Sequence, residues 1–242
     1  MPVIYRQTGP MCYSNPGTGV DEGTLARVWT PPPVPVCRIG NVPPVEPLDE
    51  ETRALAAVAY GESSVQDVYE EMAGIACVLV RQQKARGYPS IRTFLSKDKS
   101  FAYAAGDGNE RHARLKSARE EDIEKDAGMS AAVRAARNAL SGSPVDYSNG
   151  AWFWDGADIK TNYADHAKVL AGLHITDAAH NIYGIQDSVV AGEEWWRDAS
   201  GKATKLRGTW KYAYDSTAAH GGTIFWKYNS DYLRATGSKE YR

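Results

Sequence analysis

The residue with the clearest chemical use in this sequence is Glu62, in the segment Ala59-Tyr60-Gly61-Glu62-Ser63-Ser64. An apolar-periodic stretch ends just before it and another begins just after it, so two helices can shield its carboxyl group from water. Burial disfavours the charged form and raises the pKa of a carboxyl group. A carboxylic acid that stays protonated near neutral pH can donate its proton to a glycosidic oxygen. The position predicts a general acid, and the alternative is a solvated glutamate at a helix junction.

A second carboxylate is the next group to look for. A glycosidase needs either such a group or assistance from the substrate to stabilise a cationic transition state. The candidates are Glu70, Glu71 and Asp107. We expect Glu70 and Glu71 on a solvated helix face, and Asp107 in a turn, where aspartate forms local hydrogen bonds. Position therefore singles out none of the three.

Aromatic side chains near these segments are candidates to line a sugar groove, because their faces stack on the apolar faces of pyranose rings. In a strand, Trp152 and Trp154 share one face and Phe153 lies on the other. Core packing is the alternative interpretation for all of these aromatic residues. The groove candidates are Phe101, Tyr103, Tyr147, Trp152 and Trp154.

The composition is that of a globular protein with little charge bias. The 242 residues carry a formal net charge of −2, so we expect no basic face for nucleic acid. The longest apolar run, 74–80, is too short for a membrane span. His166, His174 and His180 have none of the common zinc-site spacings. We therefore expect no metal and no organic cofactor.

The periodic segments predict an α+β fold that is mainly helical and has a small β portion. Residues 1–47 are rich in Gly and Pro, which predicts an irregular N-terminal arm before a folded domain at 48–242. Asp49 is a good N-cap for the first helix. Helices are predicted at about 49–60, 66–86, 129–140 and 163–173, and strands at about 152–154, 210–214 and 223–228.

Short motifs follow one another along the chain in a defined order. They are Tyr60–Glu62, Ala73–Arg81, Gly87–Ile91, Lys99–Phe101, Ala136–Gly142, Asn149–Phe153 and His220–Lys227. Their order resembles that of the spore-cortex-lytic (SleB-type) cell wall hydrolases over about 48–228. The resemblance implies a lysozyme-like domain that cleaves the β-1,4 bond between N-acetylmuramic acid and N-acetylglucosamine in peptidoglycan. Glu62 would be its general acid and base.

The residues after Glu62 refine the resemblance. Glu62-Ser63 is similar to the Glu-Ser pair of soluble lytic transglycosylases, in which the serine helps to orient the acid and the sugar amide. Gln66 stands where the SleB-type pattern has a second glutamate, which fits a mechanism with a single acid. The resemblance therefore implies that Ser63 and Gln66 support Glu62 and bind the substrate.

Two other function classes stay open at this point. Cys12 or Cys37 with a distant histidine such as His220 could form the dyad of a peptidoglycan amidase. Against this, both cysteines lie in the Pro-rich arm, and Cys77 lies in an apolar helical run that indicates core. A non-catalytic glycan-binding module with aromatic C-terminal strands is the other alternative.

The start of the chain lacks the basic and apolar segments of a secretory signal. Three widely spaced cysteines argue against a disulfide framework. We therefore expect synthesis in the cytoplasm and, for a wall substrate, action at the cell wall or periplasm after export by another route. An antibacterial toxin that acts on a target cell would fit, with an immunity or secretion-apparatus protein as partner.

Overall fold

The structure is a computed structural model that describes residues 47–98 and 103–242. Residues 48–242 form one compact unit. The predicted N-terminal arm, with Cys12 and Cys37, lies outside the described residues and stays a prediction, as does the role of Phe101. Within the described ranges, none of the helices combines the length and the apolar character that crossing a lipid bilayer requires.

The described chain has a mixed α+β architecture, as the sequence predicts. Helices dominate up to residue 140, and strands dominate after residue 190. Single 3₁₀ turns cover Tyr163–Asp165 and Ala178–His180. The α-helices are α1 (Glu50–Glu62), α2 (Tyr69–Ala85), α3 (Ile91–Lys97), α4 (Tyr103–Gly106), α5 (Glu110–Ser117), α6 (Glu120–Lys125), α7 (Ala127–Leu140), α8 (Asp158–Thr161), α9 (Ala167–Ala171) and α10 (Ser230–Thr236).

The strands form a mixed four-stranded sheet and a separate hairpin. They are β1 (Phe153–Asp155), β2 (Leu173–His174), β3 (Gly192–Arg197), β4 (Ala203–Trp210), β5 (Tyr214–His220) and β6 (Thr223–Tyr228). The sheet order is β1-β6-β5-β2, in which β2 and β5 are parallel and the other pairs are antiparallel. The antiparallel pair β3–β4 forms the hairpin. Strand β1 therefore lies at an edge of the four-stranded sheet.

Helix α1 begins where its capping residue predicts and carries Glu62 at its end. The Asp49 carboxylate accepts a hydrogen bond from the Thr52 backbone N–H at 2.9 Å, as an N-cap should. Residues 55–61 are all buried against the rest of the helical layer. The helix continues two residues past the predicted end at Tyr60. Glu62 is therefore the last residue of a helix, held by a buried segment.

Helix α2 is the central helix of the unit, because every residue from 71 to 80 is buried. A helix that is apolar on all sides belongs in a core, which explains the apolar run 74–80. Gly74 lets the sheet approach closely, since a Cβ there would lie 2.5 Å from the Phe225 ring. The helix begins at Tyr69, later than predicted. It packs against α1, α7 and the sheet, so it connects the helical layer to the strands.

The predicted strand 210–214 is wrong. Trp210 ends β4 and Tyr214 begins β5, with an irregular turn between them. The N–H groups of Ala213 and Tyr214 both donate to the Gly172 carbonyl, at 2.7 and 3.0 Å. That shared acceptor bends the backbone toward β2 and prevents a continuous strand. The end of β4 in the hairpin and the start of β5 in the four-stranded sheet therefore lie where the alternation of aromatic residues predicts a single strand.

Glu71 is fully buried, so the expectation of a solvated helix face is wrong for this residue. Its Oε1 accepts hydrogen bonds from the backbone N–H groups of Ser64 and Gly222, at 3.0 and 3.1 Å, and from the Thr223 hydroxyl at 2.8 Å. Its Oε2 accepts from the Ser64 hydroxyl at 2.7 Å. Four donors offset the desolvation of the carboxylate. Glu71 thereby ties the loop after α1 to the turn between β5 and β6.

Removing this acceptor should destabilise the fold strongly. We expect Glu71→Ala to lower the free energy of unfolding by about 3–4 kcal/mol, because buried donors lose their partner. We expect Glu71→Gln to lower it by only about 1–2 kcal/mol, because the amide oxygen still accepts and the amide N–H can donate to the Ser64 hydroxyl. Urea unfolding measures both. Equal and small losses for the two variants would contradict the hydrogen-bonded role.

Candidate active site

A cavity of about 620 Å³ opens beside the end of α1. Its volume is in the range of small-ligand sites. One wall is Glu62, and the other consists of β1, the loop after it, α8, the start of α9 and Tyr214 of β5. The lining residues are Glu62, Phe153, Trp154, Asp155, Gly156, Asp158, His166, Ala167, Lys168 and Tyr214. Of the residues that the sequence predicts for the site, the cavity contains Glu62 and Trp154.

Side chains of α5 and of its N-cap residue, Asn109, hold the end of α1 in place. The Arg111 guanidinium donates to the Tyr60 carbonyl at 2.9 Å, and the Asn109 amide donates to the Gly61 carbonyl at 3.0 Å. Both bonds satisfy carbonyl groups that a helix C-terminus leaves without an intrahelical partner. A Cβ at Gly61 would lie 2.9 Å from the Cβ atoms of Ala104 and His112. Glycine at this position therefore permits the close packing that fixes Glu62.

The environment of Glu62 favours its protonated form. Burial is the largest cause and raises the pKa of Glu62 above its ordinary value, and the negative charge of Asp107 acts in the same direction. Hydrogen bonds from the Ala104 backbone N–H, at 2.7 Å, and from the Trp154 indole N–H act in the opposite direction. The net shift is upward. Glu62 can therefore carry a transferable proton at a higher pH than a solvated glutamate.

The opposite wall contains a network of charged side chains. The Lys168 ammonium nitrogen lies 2.8 Å from both carboxylate oxygens of Asp155. His166 Nε2 lies 3.5 Å from Asp155 Oδ1 and 3.4 Å from Asp158 Oδ2. The hydrogen bond to Asp155 is the main reason that the pKa of His166 is raised. Asp155, His166 and Lys168 are nearly buried, whereas Asp158 is exposed.

Within the part of the chain that the structure describes, Asp155, Asp158 and His166 form a possible metal-binding set, with ligand atoms within 4.8 Å of one another. Two contacts do not fit that use. The Lys168 ammonium group already faces both oxygens of Asp155. His166 Nδ1 accepts the Lys168 backbone N–H at 3.3 Å, which in the neutral ring leaves the proton on Nε2, the nitrogen that faces the carboxylates. The geometry is that of a hydrogen-bonded ion network.

The predicted groove aromatics take different places. Trp154 lines the cavity and contacts Glu62. Trp152 precedes β1, with its ring under the Arg81 guanidinium at 5.6 Å and beside Tyr241. Tyr147 packs edge to face on Tyr69, with ring centroids 5.7 Å apart. The structure therefore places Trp152 and Tyr147 in packing contacts outside the Glu62 cavity.

The two residues predicted to support Glu62, Ser63 and Gln66, do not line the cavity. Ser63 is buried, and its hydroxyl donates to the Tyr60 carbonyl at 3.1 Å, which supports the helix end and does not line the cavity. Gln66 is exposed in the loop between α1 and α2. Tyr103 is the first residue of α4 and directly precedes Ala104, whose N–H binds Glu62. Substrate contacts by these three residues stay a prediction.

Cys77 is a core residue, as predicted. It is buried in α2, and burial raises the pKa of its thiol to about 11. A thiol with that pKa is not a nucleophile near neutral pH. His220, the proposed partner of an amidase cysteine, lies 2.9 Å through Nε2 from the Tyr147 carbonyl. The described residues therefore contain no cysteine suited to the amidase alternative.

Sequence reasoning missed the charged wall. Asp155 directly follows Trp154 at the end of the aromatic strand, so its closeness to a groove residue was available as a signal. The spacing of His166 from the other histidines gives no indication of its contact with Asp155. Lys168 of α9 and Tyr214 of β5 also line the cavity, and no local sequence pattern indicates that these two elements lie beside β1.

The raised pKa of Glu62 predicts a pH-dependent effect of Glu62→Gln on stability. The folded wild type binds this proton more tightly than the unfolded chain, so it loses stability as pH rises from the unfolded pKa through the folded pKa. The amide does not ionise. We therefore expect the unfolding free energy of Glu62→Gln, relative to wild type, to increase with pH over that window and then stay level.

Urea unfolding of both proteins at a series of pH values measures this difference. Glu50→Gln is the matched control, because Glu50 is an exposed residue at the other end of the same helix. A difference between Glu62→Gln and wild type that stays constant or falls with rising pH would show that Glu62 is not a desolvated acid.

Comparison with known proteins supplies no relative from which a function can be transferred. The chain matches no protein-family model, no curated protein and no solved structure.

Proposed function

We propose that this protein cleaves the glycan strands of peptidoglycan at the β-1,4 bond between N-acetylmuramic acid and N-acetylglucosamine. It would do so as a muramidase or a lytic transglycosylase, with Glu62 as the general acid. The observation that carries the proposal is a desolvated carboxyl group with a raised pKa in the wall of a cavity that contains aromatic side chains. Such a group is what protonation of a glycosidic oxygen requires.

The reaction uses one carboxyl group twice, first as an acid and then as a base. Glu62 donates its proton to the glycosidic oxygen, the bond between that oxygen and C1 breaks, and the electron pair leaves with the oxygen. Positive charge develops at C1 and the ring oxygen. The Glu62 carboxylate then takes a proton from the group that adds to C1. That group is water in a muramidase and the C6 hydroxyl of the same sugar in a lytic transglycosylase, which leaves an anhydro end.

Aromatic residues of the cavity would bind the sugar rings. The Trp154 indole donates to Glu62, so the same residue orients the acid and lines the site. Phe153 and Tyr214 also line the cavity and pack against each other with ring centroids 5.8 Å apart. Aromatic faces suit the apolar faces of pyranose rings, and the indole N–H of Trp154 orients the Glu62 carboxyl group.

The order of the SleB-like motifs supports the same assignment. It would make the domain lysozyme-like, and a helical layer of α1, α2 and α7 beside a small sheet is compatible with that fold class. The substrate would place the protein at the cell wall or periplasm, including that of a target cell. A role as an exported antibacterial toxin with a cognate immunity or secretion-apparatus partner belongs to the same proposal.

Digestion of purified peptidoglycan tests the function directly. We expect the full chain to release disaccharide muropeptides that mass spectrometry identifies. We expect Glu62→Gln to release them at least about 100-fold more slowly, because a general acid contributes about that much or more to the rate. Glu50→Gln should act like wild type, since its residue is exposed and far along α1.

The products separate the alternatives. Free stem peptides with intact glycan strands would mean amide cleavage and would favour a cysteine amidase. Retention on peptidoglycan without any release would favour a glycan-binding module. Full activity of Glu62→Gln would contradict the assigned acid. Borohydride reduction before mass spectrometry distinguishes reducing ends, which are reduced, from anhydro ends, which are not.

A further inference from the structure

We propose that Asp155 is the second carboxylate of this site. Its role would be to stabilise the positive charge that develops on the sugar when Glu62 protonates the leaving oxygen. This role rests on the proposed function of the cavity and names a catalytic group that the sequence motifs do not assign.

The fold delivers Asp155 to the same cavity as Glu62. Asp155 follows Trp154 in β1, and the Trp154 indole donates to Glu62. Pairing with β6 fixes both residues, since Trp154 lies opposite Phe225 and Asp155 opposite Ile224. Neighbouring strand residues point to opposite faces, but β1 is an edge strand. A cavity at that edge can therefore receive side chains from both faces.

The two carboxyl groups have opposite electrostatic surroundings. Glu62 is desolvated beside the negative charge of Asp107, and among the described residues no cation contributes to its pKa shift. Asp155 has the Lys168 ammonium group 2.8 Å from both oxygens. The surroundings of Glu62 favour its protonated form, whereas Asp155 directly faces a cation. A proton donor and a second carboxyl group on the opposite wall are the two groups that cleavage of a glycosidic bond uses.

A purely structural ion pair is the competing explanation for Asp155 and Lys168. A buried ion pair is a poor source of stability, because the desolvation of both charges offsets their attraction, and apolar side chains can replace such a pair without loss. Lys168 is also held independently, with its ammonium group over the rings of Phe153 and Tyr214 at 5.9 and 5.6 Å. Asp155 nevertheless lines the cavity, although its side chain is only 10% exposed and its Oδ2 atom is buried.

The charge balance of the wall depends on His166. Asp155 and Asp158 carry two negative charges and Lys168 one positive charge, so the wall is negative while His166 is neutral. Protonation of His166, whose pKa is raised mainly by its hydrogen bond to Asp155, cancels that excess, so the wall suits a cationic transition state above the pKa of His166. A fixed negative charge in a partly closed cavity stabilises developing positive charge more than water does.

Muropeptide release by Asp155→Asn tests this role. We expect kcat to fall at least about 100-fold with little change in KM, because an electrostatic group that acts in the transition state contributes about that much. Asp165→Asn is the matched control, because Asp165 is exposed, belongs to the adjacent 3₁₀ turn and does not line the cavity. Azide or formate should restore part of the turnover of Asp155→Ala, by supplying an anion where the carboxylate was.

A folding defect is separated from a catalytic one by a second variant. Asp155→Asn combined with Lys168→Gln removes both charges, so no unpaired ammonium group remains in the wall. We expect this double variant to fold and to show the same loss of kcat. Thermal unfolding of each variant verifies the first point.

The outcomes distinguish this role from the proposed function itself. If wild type releases no muropeptides, or if Glu62→Gln stays active, the proposed function fails and the role of Asp155 fails with it. If wild type and Glu62→Gln behave as expected but Asp155→Asn keeps the wild-type kcat, only the role of Asp155 is overturned. The role would also be overturned if neither anion restores turnover to Asp155→Ala and the double variant has the kcat of wild type.

Discussion

The buried carboxylate of Glu71 determines how the two walls of the cavity stand relative to each other. Its partners on one side are the N–H and hydroxyl groups of Ser64, two residues after Glu62. Its partners on the other side are Gly222 and Thr223, which directly precede the residue of β6 that pairs with Asp155. One side chain therefore links the end of α1 to the strand pair that carries Trp154 and Asp155. These hydrogen bonds connect the segments that carry the two walls of the cavity.

Apolar packing alone would bring the same elements together without fixing their register. The Phe225 ring packs on Gly74 and so places β6 against α2, but an apolar contact of this kind tolerates small shifts of one element along the other. Hydrogen bonds in a low-dielectric interior are directional and costly to leave unmade, so they select one arrangement. A site that must hold an acid beside a sugar needs that selectivity. The buried polar cluster around Glu71 provides it close to the cavity without lining it.

The local signals in the sequence identify the helices and the acid but not the surroundings of the acid. Asp49 caps α1, and the stripe from Met72 to Leu79 marks α2, because both depend only on residues within one helix. The burial of Glu71 depends on a turn about 150 residues away in the chain, so helical periodicity could not show it. The network of Asp155 and Lys168 likewise forms between β1 and α9, which only the folded chain brings together.

The strand register shows the same limit on a smaller scale. Alternation predicts that Trp152 and Trp154 share a face and therefore a role. In the structure β1 begins at Phe153, so Trp152 lies outside the strand, although its backbone N–H still donates to the Trp226 carbonyl at 2.9 Å. A shift of one residue at a strand end changes which aromatic ring meets the cavity. The pattern located the aromatic strand, whereas its pairing with β6 decided which ring lies beside Glu62.

The chemical difference between the two carboxyl groups follows from the elements that carry them. Glu62 ends a buried helical segment, and that burial is the main cause of its raised pKa; a helix C-terminus is also a place that disfavours another negative charge. Asp155 lies on an edge strand, which leaves one side open to a cation from α9. Burial is the largest cause of the pKa shift of Glu62, and Asp155 is not among its causes. Because Glu62 is buried, its ionisation lowers the free energy of unfolding. Such a loss of stability is expected of a group that is retained for its chemistry.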